Sequence, residues 1–202
     1  MFVARASGFR WLSGGNESTL TLAEEMTQIR ATTRSDADVV GDVHLSAFPV
    51  GEGEVISKLA VDLLSEETDP PILSLVTEVD GAVVGHVAIS PVTAQGTKEF
   101  LGYILAPLAV RPDYQKRGIG SRLIKSGMER LSGMDSKILL VYGDPKYYGK
   151  FGFSTEAAER YVPPYPLQYS FGWQGMALRD LSRRSQDVRI ACVSSLCDPA
   201  LW

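Results

Sequence analysis

The spacing of apolar positions changes several times along the chain, and each change predicts an element. TQIRATT (27–33) predicts a first strand, after which Ser35 or Asp36 caps a helix whose Val39, Val40, Val43, Ala47 and Phe48 recur at helical intervals. A second helix carries Val55, Ile56, Leu59, Ala60, Leu63 and Leu64 on one face and stops before Asp69, Pro70 and Pro71. ILSLVTEV and AVVGHVAIS are β-rich runs separated by Asp80-Gly81, a pair that tolerates the positive φ angles of a two-residue hairpin, so strands two and three are expected to be antiparallel neighbours. EFLGYILAPLAV (99–110) is long and apolar enough for a central strand. Pro107 lies inside it and has no N–H to give to a ladder, so the strand is expected to bulge or splay there and leave backbone groups unpaired in mid-sheet.

The stretch after that strand carries the chemistry. RPDYQKRGIGS leads into a helix with Ile119, Leu123, Ile124, Met128 and Leu131 inward and Arg122, Lys125, Glu129 and Arg130 outward, closed by Gly133. QKRGIG is therefore a helix start. Gly118 and Gly120 remove side chains where a ligand could reach the backbone, and the free N–H groups of the first turn, at the positive end of the helix dipole, favour an anion. Lys116, Arg117, Arg122 and Lys125 add positive charge at the same place, which suits a polyphosphate better than a single carboxylate. The spacing matches neither a nucleotide P-loop nor a three-glycine dinucleotide fingerprint. Taken alone, the hexamer also reads as an ordinary glycine-lined helix start.

Composition narrows the setting. With 202 residues, 45% of them apolar, the chain can fill a core, and a net charge of −4 argues against an electrostatic grip on nucleic acid or an anionic membrane. No apolar run approaches a membrane span. Cys192 and Cys197 are spaced neither as a redox pair nor as metal ligands, and read as free thiols in a reducing, cytoplasmic setting. Residues 1–25 hold Arg5 and Arg10 but no acid before Glu17 and no continuous apolar segment; they read as an extension outside the core, with a transit peptide as the alternative.

Two blocks resemble one family. LAPLAVRPDYQKRGIGSRLI is similar to the acetyl-CoA motif of the GNAT superfamily of N-acetyltransferases, a bulged fourth strand followed by Q/R-x-x-G-x-G/A at a helix start. VYGDPKYYGKFGF (141–153) resembles the Gly-Asp-Pro-x-Tyr-Tyr-x-x-Phe-Gly-Phe stretch of the YhbS-like branch of predicted bacterial acetyltransferases. The resemblance covers roughly residues 27–181. It implies an α/β (α+β) GNAT fold, with a mixed, mostly antiparallel sheet of about six to seven strands splayed at strand four and about four flanking helices. The expected division is an extension at 1–25, a GNAT domain at 26–181 and a C-terminal extension at 182–202.

The resemblance also implies roles. Leu108, Ala109 and Val110 would offer backbone groups to the pantetheine arm of acetyl-CoA as an added strand does. Gln115, Lys116, Arg117, Gly118, Ile119, Gly120 and Ser121 would cradle the diphosphate. Tyr148, four residues before Gly152-Phe153, stands where such enzymes keep the general acid for the departing thiolate, with Tyr147 as the second candidate. Its alternative is a packing aromatic between helix and sheet.

A general base is harder to place. Glu99 and Tyr103 are four apart on the fourth strand, hence on one face, and Glu99 is the first candidate. His86 stands alone on a strand and reads as a packed residue, and Asp144 before Pro145 as a turn or cap residue. Glu52 and Glu54 open the second helix, where acceptors often bind in this family. YVPPYPLQYSFGWQG (161–175) reads either as a rigid packed loop or as an aromatic wall for a small amphipathic or cationic acceptor, and Arg179, Arg183 and Arg184 as a solvated face. The expected activity is acyl-CoA-dependent N-acylation: an acetyl group passes directly from acetyl-CoA to a primary amine of a small molecule or peptide, with no metal, in a monomer or homodimer. The alternatives are a non-catalytic CoA-binding sensor and a partner-binding scaffold.

Overall fold

A computed structural model describes residues 26–179 and 186–202, so the 1–25 extension and Arg183 and Arg184 lie outside the described residues. The chain opens with β1 (Thr27–Ala31), α1 (Ala37–Ala47) and α2 (Glu52–Ser65). It continues through β2 (Leu73–Val79), β3 (Ala82–Ala94), β4 (Phe100–Val110) and α3 (Ile119–Leu131). Then come β5 (Ile138–Tyr142), two single-turn helices α4 (Pro145–Tyr148) and α5 (Thr155–Ala158), β6 (Tyr161–Val162), β7 (Trp173–Ala177) and β8 (Val188–Ala191). The main sheet runs β1-β2-β3-β4-β5-β7, antiparallel throughout except for the parallel pair β4–β5. The described residues hold eight strands rather than the six to seven expected; β8, from beyond residue 181, pairs with β3 at Thr93 and Ala94 and with β6.

The hairpin between β2 and β3 turns on Asp80 and Gly81, at φ of 49° and 80°, as that dipeptide requires. Each face of the sheet carries its own core. On one, α1 and α2 bury Val40, Val43, Ile56, Leu59, Ala60 and Leu63; on the other, α3 buries Ile119, Leu123, Ile124 and Leu131. Val55, expected on the inward stripe of α2, is exposed. Asp36 ties the start of α1 down: its carboxylate accepts from the Thr33 N–H at 2.7 Å and from both terminal nitrogens of Arg30 at 2.8 Å, while Arg30 also reaches Glu78 at 2.7 Å. The hydrogen bonds from Arg30 hold Asp36 well below the usual carboxylate range.

β4 is bulged where Pro107 predicts. Val87 lies opposite Leu108 and Ile89 opposite Leu105, so Ala106 and Pro107 together face Ala88 alone. On its other edge β4 pairs with β5 only from Gly102 to Ile104; β5 continues to Tyr142 against β7, and a wedge opens from Leu105 onward. A central strand thus keeps half of one edge unpaired.

His86 is not alone. Its Nδ1 lies 2.8 Å from Nε2 of His44 on α1, and its Nε2 lies 2.8 Å from the Ser74 hydroxyl, with both rings fully buried.

The C-terminal residues, expected to be an extension, pack into the core. After β8 the Glu66 carboxylate, just past α2, accepts the N–H groups of Ser194 and Ser195 at 2.6 and 3.0 Å. Leu196 and Leu201 are buried with the α1–α2 core, and Trp202 packs on Tyr165 and Trp173. Sequence reading missed this because β8 is only four residues long and its partners are far away in the chain.

Candidate active site

The loop before α3 is built around positive φ values. Lys116 sits at 62° and Gly118, the residue capping the helix, at 79°. Gln115 donates its side-chain amide to the Val110 carbonyl at 3.0 Å, fixing the loop to the end of β4. The first main-chain bond into the helix runs from Arg122 N–H to the Gly118 carbonyl at 3.0 Å, so the N–H groups of Ile119, Gly120 and Ser121 have no partner within the helix. Ile119 is buried and anchors the turn, whereas Lys116, Arg117 and Gly118 are exposed, with the Arg117 guanidinium 5.0 Å above the Tyr114 ring. These residues can hold a diphosphate.

Leu108, Ala109 and Val110 lie just past the bulge. One edge of this stretch is taken up by β3; the other faces the wedge. The loop and the strand end meet at Gly120, where an added Cβ would lie 3.7 Å from Val110 and 2.7 Å from the Tyr147 hydroxyl. Tyr147 is in turn hydrogen-bonded to Ser121.

Tyr148 follows on α4, whose start Asp144 caps by accepting from the Lys146 N–H at 2.9 Å. Its ring packs so closely on Gly143 that a Cβ there would overlap it, which requires glycine. Tyr147 and Phe153 meet the ring edge-on at 5.2 and 5.7 Å. Burial, with a smaller contribution from Tyr147, raises the Tyr148 phenol well above its ordinary value. The side chain stays protonated across the physiological range and can donate a hydrogen bond.

Tyr148 lines a cleft that passes through the wedge. Counted to its open mouth this slot encloses about 480 Å³. Its walls are Leu105, Ala106, Pro107 and Leu108 of β4, Tyr142 and Tyr148, Ile56 and Leu59 of α2, and Leu196, Leu201 and Trp202. Apart from the two tyrosines, no titratable side chain lines it.

The base candidates lie elsewhere. Glu99 precedes β4 at the end away from the bulge and pairs with Lys137 at 3.0 Å, half exposed, so its carboxylate is engaged on the surface rather than in the slot. Tyr103 is buried, its hydroxyl directed at the Pro71 carbonyl and the Met134 sulfur. Glu54 accepts from the Gly51 N–H and caps α2. Burial drives the pKa of His86 down to about 3 and that of His44 well below its ordinary value, which leaves both rings neutral. In the aromatic loop Tyr169 and Phe171 are exposed, but Trp173 is buried and donates to the Tyr161 carbonyl at 2.7 Å, so the loop packs at one end and presents rings at the other. Arg179 pairs with Asp135 at 2.6 Å. Sequence reasoning did not find Tyr142, Leu196, Leu201 or Trp202 as site walls; the one available signal was the apolar content of SSLCDPALW in an otherwise polar tail.

Among the described residues no cluster of three or more His, Cys, Asp or Glu could hold a metal, and no helix is long and apolar enough to cross a membrane.

Comparison with known proteins agrees with this geometry. Residues 71–155 match the acetyltransferase (GNAT) domain. Over 138 residues, 67% of this chain and 75% of the relative, the sequence is 38% identical to the uncharacterized N-acetyltransferase YjhQ of Escherichia coli K12. Among solved structures, E. coli YhbS in complex with CoA aligns with a TM-score of 0.74 at 28% identity, covering 87% of this chain and 94% of that one. A GNAT acetyltransferase from Brucella melitensis in complex with acetyl-CoA aligns with a TM-score of 0.63 at 30% identity, covering 85% and 99%. With the splayed fourth strand, the glycine-lined helix start and a relative matched over three quarters of its length, the chain belongs to the GNAT family of N-acetyltransferases.

Proposed function

We propose that this enzyme moves an acetyl group from acetyl-CoA to a primary amine by direct transfer, both substrates being bound together. The observation that carries the reading is the joining of three features: the α3 start meets Val110 at Gly120, and Leu108 and Tyr148 line the same slot. YhbS and the Brucella enzyme, matched over most of this chain, were solved with CoA and acetyl-CoA.

In this reading the diphosphate rests on the N–H groups of residues 116–121, with Lys116 and Arg117 supplying charge. The pantetheine amides pair with the open edge at Leu108, Ala109 and Val110, where the Val110 carbonyl also accepts from Gln115. An N–H of that edge receives the oxygen of the thioester carbonyl as negative charge develops on it. The amine lone pair attacks the carbonyl carbon, a C–N bond forms, the C–S bond breaks, and the sulfur leaves with the electron pair. Tyr148 donates its hydroxyl hydrogen bond to that sulfur. Because burial makes the phenol a weaker acid than in water, its contribution is placement of the donor rather than acidity. The proton lost by the amine balances the one gained by CoA. No carboxylate or imidazole side chain lines the slot, so in this reading the amine enters uncharged, and the apolar walls favour that form because an unpaired ammonium would lose its hydration.

Thermal unfolding with acetyl-CoA tests the binding step: at 100 times its Kd, a ligand that binds only the folded state adds ~2.7 kcal/mol. Tyr148→Phe should then lower kcat by about 100-fold, the lower range for general acid catalysis, with CoA affinity retained. Equal loss of affinity and turnover would remove Tyr148 from the role.

A further inference from the structure

The slot has two halves of different origin. On the α3 side lie Leu105, Leu108 and Tyr148, which belong to the core beneath α3. On the other side of the wedge the walls are Ile56 and Leu59 of α2, Tyr142, and the tail residues Leu196, Leu201 and Trp202. That far half is largely apolar, and the Tyr142 hydroxyl and the Trp202 indole within it are each hydrogen-bonded to backbone. The Tyr142 hydroxyl accepts the Tyr169 N–H at 3.0 Å, and the Trp202 indole donates to the Leu196 carbonyl at 3.1 Å. The tail is held in place by Glu66 on two backbone N–H groups and by the packing of Trp202 on Tyr165 and Trp173. It is a built wall.

Resting on the acetyl-transfer reading, we infer that the acceptor is a primary amine carried on an uncharged apolar body, an arylalkyl or alkyl amine, and that Trp202 and Leu201 select it. The diphosphate and pantetheine come from the α3 side, so the acceptor meets the thioester from the α2 and tail side. No charged side chain lines that half, so a second ammonium or a carboxylate on the acceptor would be desolvated there without an ionic partner, which penalises polyamines, amino sugars and amino acids.

The test is steady-state transfer by the full chain from acetyl-CoA at pH 8.5 to 2-phenylethylamine, hexylamine, ethanolamine, spermidine and glutamate, with acetyl-CoA-induced thermal shift measured alongside. The expected kcat/KM for 2-phenylethylamine exceeds that for spermidine or glutamate by about 100-fold or more, the range an apolar pocket can discriminate when a buried charge is at stake. Trp202→Ala should lower kcat/KM for 2-phenylethylamine by about tenfold, mainly through KM, and leave the acetyl-CoA shift intact; Trp202→Phe should recover most of the loss. Preference for spermidine or glutamate overturns the inference. So does a Trp202→Ala effect equal for all amines, or a clear acetyl-CoA shift with no transfer to either apolar amine. If hexanoyl-CoA outperforms acetyl-CoA with ethanolamine, the far half holds an acyl chain instead, which also overturns it. Absence of any acetyl-CoA shift is a separate result: it refutes acetyl transfer itself and this inference with it.

Discussion

The chain's two histidines, His44 and His86, are the buried pair between α1 and β3, and this makes stability between pH 7.5 and 5 a direct report on them. In the folded state burial holds both neutral, with the pKa of His86 near 3, whereas in the unfolded chain each titrates near 6.5. Below pH 6.5 the unfolded state therefore binds more protons than the folded one, and stability must fall as pH falls. At about 1.4 kcal/mol per pH unit, each histidine costs about 2 kcal/mol at pH 5, and the pair about 4 kcal/mol. Neighbouring charges do not cancel this. Asp36 raises the pKa of His86 only slightly against desolvation, and its carboxylate, held low by Arg30, contributes stability that is lost only below its unfolded value of 3.8. The assay is urea denaturation at pH 7.5, 6.0 and 5.0, with Tm as a second readout, where about 4 kcal/mol corresponds to roughly 8–16 °C for a chain of this size. A His44→Asn/His86→Gln double variant, whatever its stability at pH 7.5, should show a much flatter pH dependence. Unchanged stability of the native protein from pH 7.5 to 5.0, or an equally steep double variant, would refute the neutral buried pair.

Three further outcomes follow from the geometry. Gly120→Glu should abolish the acetyl-CoA-induced thermal shift, because it puts a carboxylate at the α3 start; its Cβ also presses on the Tyr147 hydroxyl, so circular dichroism of the free protein must show that the fold is kept for the loss to count as lost binding. Gly102→Ala should destabilise by about 3 kcal/mol or more in urea titrations, since φ there is 150° and an added Cβ would overlap the Ile138 carbonyl across the β4–β5 pair. For an apolar amine, kcat/KM should rise about tenfold per pH unit until the amine's own pKa is reached. A plateau near pH 7 would instead reveal a protein base.

How much was legible in the sequence depended on whether the signal was local. Asp80-Gly81 and QKRGIG each encode their own backbone, so the hairpin and the helix start could be read directly. Pro107 announced the bulge because a missing N–H has one consequence wherever it lies in a central strand. For Glu99, alternation indicated a face shared with Tyr103 but said nothing of distance along the strand, and the carboxylate is paired with Lys137 at the surface. Glu99 lies eight residues before Pro107, about 26 Å in an extended chain. The eighth strand and the tail wall were illegible because they depend on Glu66 and β3, more than ninety residues away, and no local pattern encodes such a partner.

That tail has a consequence for how the enzyme diversifies. The residues proposed to grip the donor fall within residues 71–155, whereas much of the wall proposed to face the acceptor comes from α2 and from residues 196–202, outside that block. Substitutions in the last few residues could therefore retune the choice of amine while leaving the donor machinery untouched.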